Sequence, residues 1–339
     1  MSREFFIKDT DYATEDTAGV VKVGEGLSVS NEGVLSVSGG GQKGSPYIYM
    51  TSEDYFALDA FETDALYWAI NTDGTHGIMK NKVCVEGTFK PIITTWKQIQ
   101  KAVRNNWASK IYSVGDQLSV NYNGSAVMFD IVAFDVATPA DSNYTHSMTL
   151  IPHDCLESLM FDNKEPNNSN SDRKSYGNNR YLYSNIRKWL NSNGEAGNWW
   201  TAQHSADAAP DYATKKAGFM SYFDSDFLSV IGKTKIKVVK NTKTDGGGYE
   251  EISDDYFYLP STTEVGLANE NSIAEGTLFP YFDSNAKRIK YYSGSTKYWW
   301  LRTPYSGYTS NVRIVYTSGG LHNYNAYDAS GVAPACNII

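Results

Sequence analysis

Cysteine is scarce in this sequence and poorly placed for chemistry. Only Cys84, Cys155 and Cys336 occur in 339 residues, far apart and with no C-x-x-C pair, which excludes a disulfide scaffold and argues against a structural zinc site. Buried free thiols are the expectation. Long apolar runs are missing too. None approaches the roughly 18 residues of a spanning helix, and the start, Met1-Ser-Arg-Glu-Phe-Phe-Ile-Lys-Asp-Thr10, lacks a signal-peptide core of about 7 to 15 apolar residues. A soluble chain, neither exported by a secretory signal nor inserted in a membrane, is expected. Positive charge is short as well: 30 Lys and Arg against 38 Asp and Glu leave a net charge of −8, which disfavours a nucleic-acid binder working by bulk charge.

Catalytic signatures are equally absent. His76, His146, His153, His204 and His322 show no H-x-E, H-E-x-x-H or H-x₃-H spacing, so neither a metal site nor a metal-dependent hydrolase is announced, and no metal or cofactor is expected. His153 and Cys155 would share one face of a strand, but nucleophile and base are normally distant in sequence, so a structural role is expected for both. Gly246-Gly-Gly248 has no Lys-Ser or Lys-Thr pair after it and reads as a turn, not a phosphate cradle. The acid pairs Asp224/Asp226 and Asp254/Asp255 are explained by helix capping and by solvation at the end of a polar turn. A non-enzymatic protein is the reading.

What the chain has in quantity is tyrosine, 25 residues, beside 14 Phe and 8 Trp. Rings beyond the needs of a core tend to line binding surfaces, because Tyr offers large contact area at low entropy cost with a polar tip. The length allows two domains, or one large domain with appendages. In residues 1–43 the pairs Val21/Val23, Leu27/Val29 and Leu35/Val37 alternate between Gly and Asn-Glu-Gly turns, which predicts short strands too poor in apolar surface to form a core alone and so in need of partners. Ser38-Gly-Gly-Gly41 reads as a linker. Residues 44–91 predict a strand-helix-strand module: Thr51 or Ser52 caps a helix carrying Tyr55 and Leu58, and Leu66–Ile70 ends at the Asp73-Gly74 turn.

Residues 92–339 pattern as a mixed domain. Thr94 or Thr95 caps a helix with Trp96, Ile99 and Val103 on one face, and a hairpin from Asp116 to Val136 turns at Asn123-Gly124. Ser184 opens a helix bearing Ile186 and Leu190, and Asp224–Ile231 forms a shorter one. Lys235–Lys240 and Tyr256–Leu259 read as strands joined across Asp245-Gly-Gly-Gly248. No βαβ alternation appears, so the fold class is α+β, not a parallel-sheet nucleotide fold. The polar stretch Asn163–Asn179 reads as a long surface loop, a mobile connector in preference to a ligand-contacting lid.

The last 49 residues carry the functional signal. From Tyr291 to Ile339 the only charged side chains are Lys297, Arg302, Arg313 and Asp328; Tyr, Ser, Asn and Gly replace the rest, as in an antibody paratope. Tyr305, Tyr308, Tyr324 and Tyr327 sit among Gly, Ser and Asn without apolar alternation, which predicts surface recognition, whereas Tyr298 and Tyr316 also suit a hairpin packed on the core. The candidate ligand-binding set is Tyr305, Ser306, Tyr308, Ser310, Arg313, Tyr316, His322, Asn323, Tyr324, Asn325, Tyr327 and Asp328. Tyr298-Trp-Trp-Leu-Arg-Thr-Pro304 before it and Gly331-Val-Ala-Pro-Ala335 after it look like rigid frame.

Those framing motifs, with Asn311-Val312 and Gly319-Gly320 between them, resemble the Trp-Leu-Arg-Ser-Pro … Gly-Val-Arg-Pro-Ala ending of a family of C-type lectin-fold ligand-binding domains. That family is common in gut-bacterial and phage proteins and includes the variable proteins of diversity-generating retroelements. Tyr258-Leu-Pro-Ser-Thr-Thr-Glu-Val265, Trp189-Leu-Asn191, Trp96-Lys-Gln-Ile99 and Val114-Gly115-Asp116 look like its upstream motifs, so the resemblance spans about residues 92 to 339. Ala333 departs from it, standing where the family usually has Arg. Ala13–Val37 is similar to tail-fibre repeats, and Thr51-Ser-Glu-Asp-Tyr55 with Asp64-Ala-Leu-Tyr-Trp68 to a module found near them. The whole resembles a phage tail receptor-binding protein. The resemblance implies a virion adhesin at the tail tip or fibre, trimeric and joined to other tail proteins through residues 1–43, whose partner is a host cell-surface protein or glycan. It also implies diversification of Asn-codon-derived positions such as Tyr305, Ser306, Tyr308, Ser310 and Arg313. The alternatives are a non-viral bacterial surface module, a polysaccharide-cutting tail enzyme, for which no β-helix pattern appears, and a formylglycine-generating oxidase, which lacks its second cysteine here.

Overall fold

A computed structural model describes residues 27–29, 35–37, 47–58, 60–80, 83–86 and 92–339. The chain divides into two compact units, Met1–Ile92 and Ile93–Ile339. In the first, β1 (Leu27–Val29) and β2 (Leu35–Val37) pair antiparallel, as their alternation predicts. The Val21/Val23 strand and the Ser38–Gly41 linker lie outside the described residues. A second sheet holds β3 (Tyr47–Thr51), β4 (Leu66–Ile70), β5 (His76–Lys80) and β6 (Val83–Glu86) in that order, with β3 and β4 parallel. Helix α1 (Ser52–Ala57) follows β3 and is capped by Thr51, whose hydroxyl accepts from the Asp54 N–H at 3.0 Å. Its buried Tyr55 packs on Tyr67 and Phe61.

The second unit begins with α2 (Trp96–Arg104), where Thr95 and Gln98 form a reciprocal capping box. After α3 (Ala108–Ile111), the hairpin β7 (Gln117–Tyr122) and β8 (Ser125–Phe134) turns at Asn123-Gly124, both residues at positive φ. The short β9 (Thr138–Pro139), β10 (Met148–Pro152), β11 (Glu157–Met160), α4 (Ser171–Tyr176), α5 (Asn185–Leu190) and α6 (Ser225–Leu228) follow. The last of these stops short of the expected Ile231, because Ile231 enters β12 (Ile231–Gly232). Asp224 stands at its N-cap position without a capping bond and instead accepts from Asn121 Nδ2 at 3.1 Å.

Beyond lie β13 (Thr234–Val239), β14 (Tyr249–Asp255), β15 (Phe257–Tyr258), α7 (Asn285–Arg288), β16 (Lys290–Tyr292), β17 (Ser295–Lys297), β18 (Trp299–Pro304), β19 (Asn311–Val315), β20 (Leu321–Asn325), β21 (Ala329–Val332) and β22 (Ala335–Ile338). Here one expectation is corrected. The glycine turn joins β13 to the polar strand β14, while the Tyr256–Leu259 segment pairs with β22. Apolar β15 is drawn to the core sheet, and β14 shows only Ile252 and Asp255 to the interior.

Two sheets organise this mixed α and β unit. One runs β12-β22-β10-β8-β7 with β15 also on β22; the other runs β11-β21-β18-β19-β20. A single core of buried aromatic and aliphatic residues, including Trp189, Phe219, Trp299 and Trp300, joins them. The end of this unit meets its own first helix: Gln100 Nε2 donates to the Ile339 carbonyl at 2.7 Å. Among the described residues no helix is long and apolar enough to cross a membrane.

Candidate functional site

The candidate residues grow out of β18, every residue of which is buried. Trp299 and Trp300 donate their indole N–H groups to the carbonyls of Arg288 at 2.9 Å and Leu159 at 2.8 Å, which locks both rings. Arg302 is fully buried and makes a two-pronged pair with Glu264 at 2.6 and 2.8 Å, and its remaining N–H groups reach the carbonyls of Lys237, Leu259 and Glu275. Burial works against that charge, and Glu264 outweighs it, so the guanidinium is held protonated. The Glu275 carboxyl beside it accepts from the Val239 N–H and from the Thr303 hydroxyl. Burial pushes it up to about 7 despite Arg302.

From Pro304 the chain leaves the core as a loop and returns as β19. The loop backbone is fastened from beneath. Asn179 Nδ2 donates to the carbonyls of Tyr308 at 2.8 Å and Asn311 at 3.0 Å, and Arg173 Nε to that of Thr309 at 3.3 Å. Thr242 N–H reaches the Ser306 carbonyl at 2.9 Å, and Asn241 ties Asn179 to Asp245, which pairs with Arg173 at 2.7 Å. Asn163–Asn179, expected to be a mobile surface loop, is therefore corrected: it contains α4 and buries Glu165, Arg173, Asn178 and Asn179. Polar side chains can be buried here because Arg173, Asn178 and Asn179 each find a backbone group that needs a partner, and the Glu165 carboxylate accepts from the Asn168 and Asn178 amides. Asp162 at its edge accepts N–H bonds from Asn178 and Asn185, and burial, then Glu165, push its carboxyl well up.

The hairpin β19–β20 carries most of the remaining candidates. Its register pairs Asn311 with Asn325, Val312 with Tyr324, Arg313 with Asn323 and Ile314 with His322. Directly opposed residues share a face, so the set is split in two. One face carries Asn311, Arg313, Asn323 and Asn325, with Asn311 Nδ2 donating to Asn323 at 3.0 Å and Asn325 Nδ2 to Asp328 at 3.1 Å. Tyr305 belongs to it, since the Arg313 guanidinium lies 4.0 Å over its ring, and Tyr308 packs on Tyr305 at 4.8 Å. The other face carries His322 and Tyr324, joined by Tyr316 and Tyr298. The hydrogen bond that the Tyr298 hydroxyl gives to Tyr324, then burial, push the Tyr298 phenol up.

Tyr308 is 50% exposed, Tyr316 45% and Tyr324 36%, which puts Tyr316 at the surface rather than in the core. Tyr327 is half-buried under the Lys164 ammonium, 4.2 Å from its ring. Ser306 and Ser310 are corrections: both are buried. Ser306 turns inward because its N–H and hydroxyl donate to Glu270 at 2.9 and 2.7 Å, and the Ser310 carbonyl is taken by the Ala326 N–H.

Elsewhere, His153 bonds the buried Asp130 at 3.0 Å, and burial pushes the Cys155 thiol up to about 12, which suits the structural role expected of both. Asp255, expected to be solvated, is instead buried against Arg187 at 2.7 Å; burial lifts its carboxyl to about 6. Among the described residues no group of three or more His, Cys, Asp or Glu side chains is placed to hold a metal ion.

Sequence reasoning missed the floor of the site: Arg173, Asn179, Asn241 and Glu270. Asn-rich Asn163–Asn179 was its one available signal, since a polar stretch that is not solvent-exposed must be satisfying backbone. The search of curated proteins and that of solved structures each find no match. A family model described as a domain of unknown function, DUF6273, matches residues 146–339, which take in β10 to β22, the floor and every candidate residue. With more than half of its length so matched, the chain belongs to the DUF6273 family.

Proposed function

We propose that this chain is a phage tail receptor-binding protein, a non-enzymatic adhesin that recognises a host cell-surface ligand through the loop and hairpin following β18. In this reading residues 92–339 are a C-type lectin-like domain, and residues 1–43 assemble a homotrimer and attach it to other tail proteins at the tip or fibre. The lectin-like reading is supported by the way the two framing motifs meet: β18 and β21 run parallel, with Trp299 opposite Gly331.

The observation that carries the binding role is the contrast in one short segment between exposed rings and fastened backbone. Tyr308 and Tyr324 stand in solvent, while the loop beneath Tyr308 is held by Asn179, Arg173 and Thr242. Preorganised aromatic anchors lose little entropy on binding. Trimerisation multiplies weak single-site affinity without new contacts. Adhesion of the labelled protein to a panel of gut-bacterial cells tests this. Tyr308→Ala and Tyr324→Ala are each expected to weaken adhesion about 10-fold, the loss of a modest hot spot. Unchanged adhesion, or an equal fall in melting temperature, would refute the role. Light scattering of the full chain should give three times the 37.7 kDa chain mass; a monomer would remove the assembly part.

A further inference from the structure

We propose that Glu270, which lies outside the tyrosine-rich segment, sets the charge selectivity of the Tyr305/Arg313 face, so that this face takes a neutral glycan and turns away anionic ones. The inference deepens the adhesin reading and rests on it for the existence of a ligand. Glu270 is buried at the start of a tight turn, Glu270–Ser272, in which Asn271 and Ser272 take positive φ. One carboxylate oxygen accepts both the N–H and the hydroxyl of Ser306. The other is ion-paired with Arg313, whose side chain is only 15% exposed. Arg313 is the one cationic residue in the candidate set, and it is spent: its charge is neutralised from below and its upper face is covered by Tyr305.

An anion approaching this face would have to compete with a buried carboxylate already in contact with the guanidinium, and it would meet that carboxylate as a like charge. Apart from the half-buried Asp328 carboxylate, which accepts from Asn325 and would also repel an anion, what the face offers is uncharged. Asn311, Asn323 and Asn325 present carboxamides, which bond hydroxyl groups in either direction. The Tyr305 and Tyr308 rings, tilted 35° to each other, provide flat apolar area beside them. Flat rings next to amides are the chemistry that a pyranose, with its apolar ring face and equatorial hydroxyls, can satisfy in full.

Dextran sulfate is a suitable probe because it isolates charge on a glycan backbone. The wild-type protein is expected not to bind it at 50 mM salt. Glu270→Gln should bind at least 10-fold more tightly, and the gain should vanish in the double variant Glu270→Gln/Arg313→Gln. Wild-type binding that Arg313→Gln abolishes, or a folded Glu270→Gln with no gain, would overturn the proposal. Should Glu270→Gln fail to fold, Arg313→Gln alone decides: the salt dependence of adhesion to bacterial cells stays flat if the charge is spent and falls if Arg313 meets an anion. On those cells, adhesion should survive protease and be lost after periodate; the reverse would place the ligand among proteins and sink the glycan assignment. Absence of adhesion by every variant would instead count against the adhesin reading, and the dextran sulfate arm would still decide the role of Glu270.

Discussion

Strands β18 and β20 lie in the same sheet, separated only by β19, yet they are built on opposite principles. In β18 all six residues are buried and even its arginine is enclosed; in β20 none is buried, and exposed His322 and Tyr324 alternate with half-buried neighbours. The difference follows from position. β18 has β21 on one side and β19 on the other, with the core against it, whereas β20 is the edge strand. A sheet of this kind concentrates its rigidity at the centre and leaves the edge free to vary in chemistry without endangering the fold.

Removing the enclosed charge should break this contrast most severely. Arg302→Ala leaves Glu264 and Glu275 without their cation and is expected to cost about 3–5 kcal/mol, read as a large fall in the denaturation midpoint. Asn179→Ala acts one layer further out. It strips hydrogen bonds from the carbonyls of Tyr308 and Asn311 and from Asn241, for about 1–3 kcal/mol in chemical denaturation, and adhesion should weaken because the loop is released.

A smaller effect separates the centre from the edge by pH. The Glu275 carboxyl is raised from its ordinary 4.5 to about 7, so the folded chain holds this proton more tightly than the unfolded one. Its stabilising contribution is complete below about pH 4.5 and disappears as pH rises through about 7. Glu275→Gln should therefore flatten the slope of melting temperature against pH in that window. Loss of slope at other pH values only would refute the assignment. The least effect on stability, under about 0.5 kcal/mol by thermal melting, is expected for Tyr308→Ala and Tyr324→Ala at the edge, although these are the changes that should matter for adhesion.

How much of this was legible in the sequence depended on whether a signal was local. Helix α2 could be read from Thr95 and the Trp96/Ile99/Val103 spacing, and hairpin β7–β8 from Asn123-Gly124, because capping and turn chemistry act within a few residues. The exposure of Tyr308 and Tyr324 was legible for the same reason, as neither has apolar alternation around it. The floor was not. Asn179 lies 129 residues from the carbonyl it serves at Tyr308, and Glu270 is 43 from Arg313, so nothing in either neighbourhood distinguishes a buried polar anchor from a solvated loop residue. The inward turn of Ser306 was hidden likewise, since its partner lies 36 positions away. The true partner of β15 escaped because pairing with β22 is decided by the end of the chain.

The parallel pairing of β18 and β21 has a consequence for how such a protein can change. Residues 305–328 leave β18 and re-enter the sheet at β21, its immediate neighbour, so they form a cassette framed by two adjacent strands. Its inner tip is pinned: Gly319, at φ +80, lies so close to the Asn285 carbonyl that no side chain can be added there. The tip is thereby fixed, and Val312, Ile314, Val315 and Ala326 belong to the core, while exposed side chains such as Tyr308, His322 and Tyr324 are exchangeable. Whole-cassette swaps between relatives should then transfer the exposed rings as a unit, provided that Glu270 and Asn179, which hold the cassette from outside it, are kept.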